Sequence, residues 1–139
     1  MKNTLTYDDF IVRWTEHEPT DQLGRNETVR EGLRLAGDDG TAVRDVRHYL
    51  YKSDGGKAAS SLRVMKRKLK PFGFDIYPTV TEPGLVLTHD SEIASAKFDA
   101  LTIRLEQLAD ANGWLYDGWE ALRVSNLRAR LNSAPRMLH

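Results

Sequence analysis

Val46-Arg47-His48-Tyr49-Leu50-Tyr51 alternates along the chain, sending Val46, His48 and Leu50 to one side and Arg47, Tyr49 and Tyr51 to the other. That period of two predicts a strand buried on one face. The same period returns from Phe74 to Val80, where Ile76 and Val80 lie opposite Tyr77 and Thr79. Pro78 has no N–H to donate to a ladder, which confines this second strand to a sheet edge. Glu82-Pro83-Gly84 is a turn signal before the short apolar strand Leu85 to His89, so the two strands read as a hairpin. A last strand is expected from Trp114 to Tyr116 and from Trp119 to Val124, with a bulge or bend at Asp117-Gly118.

Helical periods separate these strands. Ala58, Leu62, Met65 and Leu69 form one apolar stripe, backed by Arg63, Lys66, Arg67 and Lys70 and stopped by Gly73. Phe98, Leu101, Leu105 and Leu108 form the other, ended by Asn112-Gly113. The order strand, helix, strand, strand, helix, strand predicts an α+β fold: a ferredoxin-like split βαβ sandwich, an antiparallel sheet with two helices on one face. Its expected core sets Leu62, Met65, Leu69, Phe98, Leu101, Leu105 and Leu108 against Val46, Leu50, Ile76 and Leu87.

Extra N-terminal helices are expected before this unit. Asn26 is the predicted N-cap of one, with Glu27 in its first turn, Val29, Leu33 and Leu35 as apolar positions, and Gly37 as its stop. Residues 1–25 carry Asp8, Asp9, Glu16, Glu18 and Asp21 against Lys2, Arg13 and Arg25, an acidic appendage that docks through Phe10, Ile11 and Trp14. Residues 26–124 make the domain, and residues 125–139, with Arg128, Arg130 and Arg136 and no acid, make a basic tail.

The length of 139 residues and 40% hydrophobic content suit one core, and 20 basic side chains cancel 20 acidic ones. Balanced charge argues against a single-sign field over the whole molecule but leaves local patches open. With no cysteine there is no disulfide framework and no thiolate chemistry, and no apolar run approaches the roughly 20 residues of a membrane span. A soluble cytoplasmic protein, monomeric or weakly dimeric through its last strand, is the expectation.

The stretch Phe98-Asp99-Ala100-Leu101-Thr102, with Arg104-Leu105 and Ala109 after it, and then Tyr116-Asp117-Gly118-Trp119-Glu120-Ala121, resembles the closing helix and strand of the RraB family, inhibitors of ribonuclease E. Arg47-His48-Tyr49-Leu50-Tyr51 is similar to that family's first strand, Gly37-Asp38-Asp39 to the turn before it, and Gly73-Phe74-Asp75-Ile76 to the approach to its second strand. The likeness covers about residues 26–124, with the YDGWEA segment as its specific part. The long acidic run of the enterobacterial members is absent. The resemblance implies a non-enzymatic protein that binds a nuclease, or a complex containing one, and lowers its activity. Two alternatives stay open: a mobile-element inhibitor of a host or rival nuclease system, such as an anti-CRISPR or immunity protein, and a direct RNA-binding module.

The residues themselves show no catalytic constellation, cofactor motif or metal-ligand spacing. His17, His48, His89 and His139 lie in no HExxH pattern, and Gly55-Gly56-Lys57 lacks the first glycine and terminal hydroxyl of a phosphate loop. His48 and His89 fall on neighbouring strands and are expected to meet as a buried hydrogen-bonded pair, with acid/base or pH-sensing work as the alternative. Arg47, Tyr49, Tyr51 and Tyr77 should show on the sheet face turned away from the helices, joined by Tyr116 or Trp119 depending on the bulge. These residue types carry binding hot spots, so Arg47, Tyr49, Tyr51, Tyr77 and Trp119 are the candidate partner contacts. The cationic back Arg63, Lys66, Arg67 and Lys70 is either a solvated helix face or a contact for RNA phosphates or an acidic partner.

Overall fold

Three serine and aspartate side chains set where the helices begin. The computed structural model describes residues 21–53, 59–80 and 83–124. Asp21 accepts from the Gly24 N–H and starts α1 (Gln22–Leu35), Ser61 accepts from the Val64 N–H and starts α2 (Leu62–Leu69), and Ser95 accepts from the Phe98 N–H and starts α3 (Ala96–Ala111). A 3₁₀ turn, Lys70–Phe72, follows α2. The strands are β1 (Arg44–Lys52), β2 (Asp75–Pro78), β3 (Gly84–Ser91) and β4 (Trp114–Ala121). They form one four-stranded antiparallel sheet in the order β2-β3-β1-β4, so β2 with its Pro78 is an edge, as expected, and β4 is the other.

Several boundaries differ from the sequence expectations. The N-cap of α1 is Asp21, not Asn26, because α1 begins five residues earlier; Asn26 is fully buried inside it, and the helix crosses the expected boundary between residues 25 and 26. Glu27 therefore leaves the first turn and pairs instead with Arg30 and Arg34. Leu35, expected as an apolar contact, is exposed. α2 begins at Leu62 rather than near Ala58, since Ser61 caps it, and Leu62, expected in the core, is exposed at the end of the stripe. β2 stops at Pro78, which leaves Val80 exposed. Ala58, residues 1–20 and residues 125–139 lie outside the described residues, and with them most of the acidic appendage and the basic tail.

The three helices of the described residues cover the same face of the sheet. Met65, Leu69, Phe74, Leu105, Ala109, Trp114 and Tyr116 pack with Leu50, Leu85 and Leu87 in one apolar cluster. Val29 and Leu33 of α1 join Val46, Ile93, Phe98, Trp119 and Ala121 in a second. Leu101, Leu108 and Ile76, expected in the core, pack against the first cluster while partly buried. The two clusters meet at His48, whose ring lies 5.6 Å from that of Phe74 and 6.0 Å from that of Phe98.

Polar groups fasten α1 to this face. Asn26 donates to Asp99 and Thr102 of α3 at 3.0 and 2.9 Å, and its carbonyl oxygen accepts from Trp119 Nε1 at 2.7 Å and Gln22 at 2.9 Å. Arg30 donates to both Asp99 oxygens and to the Ile93 carbonyl. Before β1, a buried Asp38 takes two bonds from Arg44, at 2.6 and 2.9 Å, and also accepts from the Gly40 and Val124 N–H groups. Arg44 donates onward to the Leu122 carbonyl, so one ion pair ties the start of the sheet to the chain leaving β4. Burial raises the Asp38 carboxyl, but the hydrogen bonds and charge of Arg44 with the two N–H groups outweigh it and hold the pKa below its ordinary value.

β4 carries the expected bulge. His48 faces Trp119 and Leu50 faces Tyr116, so Asp117 and Gly118 together stand opposite Tyr49. Gly118 adopts φ +92°, and a Cβ there meets nothing within 4 Å, so conformation and not space requires glycine. Gly118→Ala should lower stability by about 1–2 kcal/mol and Gly118→Asn by less, read from urea unfolding. An unchanged midpoint for the alanine variant would mean that the bulge survives without a left-handed residue. Asp38→Ala leaves Arg44 buried without its counter-ion and should cost about 3–5 kcal/mol in the same measurement; a loss within about 1 kcal/mol would mean that Arg44 reaches solvent when released.

Candidate functional site on the outer face of the sheet

Alternation places Asp45, Arg47, Tyr49 and Tyr51 of β1 on the face turned away from α1, α2 and α3. Register adds the rest: Thr88 lies opposite Arg47 and Asp75, Val86 opposite Tyr49 and Tyr77, Asp90 opposite Asp45, and Glu120 opposite Arg47. Asp45, Arg47, Tyr49, Tyr77, Val86 and Thr88 line a groove of about 420 Å³ across β1, β3 and β2. Val86 and Thr88 make its floor from the middle of the sheet. Tyr77 is about half exposed (53%) at the β2 edge.

The β4 side is more enclosed. Tyr49 is partly buried, and its hydroxyl donates to Glu120 Oε2 at 2.8 Å, although Glu120 itself is only 9% exposed. Burial, then the hydrogen bond to this carboxylate, pushes the Tyr49 hydroxyl far above its ordinary value, so it remains a proton donor. Arg47 reaches Asp45 at 3.3 Å in a half-exposed pair that water screens and that contributes little to stability. Among the described residues, Asp45, Asp75, Asp90 and Glu120 thus set at least four carboxylates on this face beside the guanidinium of Arg47.

The structure brings Arg47, Tyr49 and Tyr77 together as expected. Tyr51 is on the same face but at the end of β1, outside the groove. Trp119, expected among the partner contacts, is not there: the bulge turns it to the helix side, where Tyr116, ahead of the bulge, already faces. Its indole packs edge-on against Phe98 at 4.9 Å and donates to Asn26. Arg63, Lys66, Arg67 and Lys70 are all exposed, on the side of α2 opposite Met65 and Leu69. The carboxylates and the Val86-Thr88 floor were missed by sequence reasoning, although the alternation of β3, with Leu85 and Leu87 inward, carried the signal for Val86, Thr88 and Asp90.

The imidazole pair lies on the other side of the sheet. His48 Nε2 is 2.9 Å from His89 Nε2, and His48 Nδ1 is 2.8 Å from the Tyr116 hydroxyl. His48 and Tyr116 are buried, whereas His89 is partly exposed and meets Phe74 edge-on. The expected buried pair is thus extended into a chain of three side chains. With both rings neutral, Tyr116 donates to His48 Nδ1 and His48 Nε2–H donates to His89 Nε2, which satisfies every member. A proton added to His89 reverses the chain and leaves the Tyr116 hydrogen without an acceptor among the described residues. Burial lowers the pKa of His48 well below its ordinary value, with the charge of His89 acting in the same direction. Burial also lowers His89, against the opposing carboxylates Asp90, Asp45 and Glu92. Among the described residues, no group of three or more His, Asp or Glu side chains is placed to hold a metal ion, and no helix is long and apolar enough to cross a membrane.

Neither a protein-family model nor a curated protein sequence matches this chain.

The lowered imidazole values fix the sign of a pH effect. The unfolded chain takes up protons near the ordinary value of 6.5 while the folded chain resists them, so this stability is whole above that pH and is lost progressively below it. The urea midpoint should fall between pH about 7 and about 5, and His89→Gln should flatten the fall. A wild-type midpoint equal at the two pH values would show that the pair does not couple to folding.

Proposed function

We propose that this chain is a non-catalytic regulator that binds a nuclease, or a complex containing one, through the outer face of its sheet and lowers its activity. The observation that carries this reading is the chemistry around the groove: four carboxylates beside two tyrosines and an arginine. A nuclease holds its substrate by presenting cations to phosphates, and a carboxylate-rich face complements such a surface. Tyr49 and Tyr77 supply the large, stiff contact area typical of hot spots, and Arg47 supplies a forked donor. Val86 and Thr88 at the centre favour a protein partner over stacked bases, which need an aromatic platform.

The resemblance of residues 26–124 to RraB proteins points the same way. Its most specific segment, Tyr116 to Ala121, is the bulged edge strand that fixes which side chains reach the outer face. The strand order β2-β3-β1-β4, with α2 and α3 as crossovers, supports reading the domain as a ferredoxin-like sandwich. That fold hosts many activities, so the function rests on the face and on the resemblance.

The test is cleavage of a fluorogenic RNA by a ribonuclease E-type endoribonuclease in the presence of the full chain. Cleavage should slow with added protein. Arg47→Ala combined with Tyr77→Ala should weaken inhibition by at least about tenfold while the melting temperature holds, and Asp75→Lys combined with Asp90→Lys should reduce mainly the association rate. Unchanged cleavage in a saturating excess of folded protein would sink the assignment.

A further inference from the structure

The cationic side of α2 is not used by the sheet-face contact. From Ala59 to Phe74 the chain contains Arg63, Lys66, Arg67, Lys68 and Lys70 and no acid, within a molecule whose charges balance only when these five are counted. All five are exposed, and none has an ion-pair partner among the described residues. Arg104 of α3 adds a cation beside the end of this segment, lying 5.1 Å over the Phe72 ring.

Local stability does not account for the arrangement. Arg63, Lys66, Arg67 and Lys70 are related by three- and four-residue steps, the spacing at which like charges repel on a helix. Lys66, Arg67 and Lys68 gain from the negative end of the helix dipole, but Arg63 sits in the first turn, where a cation is unfavourable. α2 is only eight residues long and depends on Met65 and Leu69 for its docking.

We propose that this face of α2 binds the phosphate backbone of single-stranded nucleic acid without reading its sequence. The stripe from Arg63 to Lys70 rises about 10 Å, which matches about three phosphates of one stacked strand, and long lysine side chains extend that to a fourth. No aromatic ring lies among the five cations to stack a base, so the contact is electrostatic. It is separate from the sheet face, because α2 lies against the opposite side of the sheet.

The experiment is fluorescence anisotropy of a labelled oligouridine of about 20 nucleotides with the full chain, at about 50 and about 200 mM salt. Three to four contacts give an affinity that falls by about 20- to 50-fold between those concentrations. Exchanging Arg63, Lys66, Arg67 and Lys70 for glutamine should abolish binding and leave the melting temperature unchanged or higher, since like-charge repulsion is relieved. If that protein does not fold, Lys66→Gln with Lys70→Gln serves, and should reduce the salt dependence by about two contacts. A second variant, with Arg128, Arg130 and Arg136 exchanged for glutamine, should bind as the wild type does. Binding that is lost in this second variant and retained in the α2 variant overturns the proposal. So does failure of the wild type to bind RNA at low salt, which would assign the face to an acidic protein or to a second copy of this chain.

Discussion

One extra residue in β4 decides what both faces of this sheet present. In an unbroken ladder, Leu50 opposite Tyr116 would place Gly118 opposite His48 and Trp119 opposite Arg47, on the outer face. The bulge at Asp117-Gly118 advances β4 by one position, so that Trp119 meets His48 on the helix side and Glu120 meets Arg47 on the outer side. Inside, two adjacent large side chains, Tyr116 and Trp119, reach the core from one edge strand. Outside, a carboxylate takes the place of an indole beside Tyr49. Both effects depend on the left-handed backbone of Gly118.

Tyr116 and Trp119, the inward residues on either side of the bulge, each complete a polar chain that an apolar core could not provide. Tyr116 ends the chain through His48 and His89, and Trp119 ends the one through Asn26 to Asp99, Thr102 and Gln22. The first lies between the two apolar clusters, and the second joins α1 to α3 and β4. Buried networks of this kind contribute modest net stability, but a wrong packing would leave several polar groups unsatisfied, so they favour one arrangement. Gln22 Oε1 is the one buried side-chain atom left without a partner among the described residues.

Much of this was legible from residue period alone. The alternation of β1, the edge position of β2, the stripe of α3 and the site of the bulge all follow from side-chain periodicity and from the local chemistry of proline and glycine. What could not be read was direction after the bulge, because a glycine announces an irregularity without giving its register. Trp119 was therefore expected outside, with Tyr49. Asn26 misled in a related way: asparagine is a good N-cap, and only the tertiary partners Asp99, Thr102 and Trp119 explain it as a buried hub within α1. The Asp38-Arg44 pair was invisible for the same reason, since five intervening residues separate two charges that the fold brings into bidentate contact.

Composition also hid the distribution of charge. Twenty cations and twenty anions suggest an electrically bland molecule, yet the fold sorts part of them by side: carboxylates of all four strands on the outer face, cations of α2 beyond the helix layer. Packed layers are separated by about 10 Å, and the cationic side of α2 points farther still from the sheet. That distance exceeds the Debye length of about 8 Å at physiological salt, so the two surfaces barely neutralise one another. A molecule with zero net charge can therefore present a cationic partner with an anionic face and a polyanion with a cationic one. The long-range orientation of an approaching partner is then set by the separation of these charges and not by their sum.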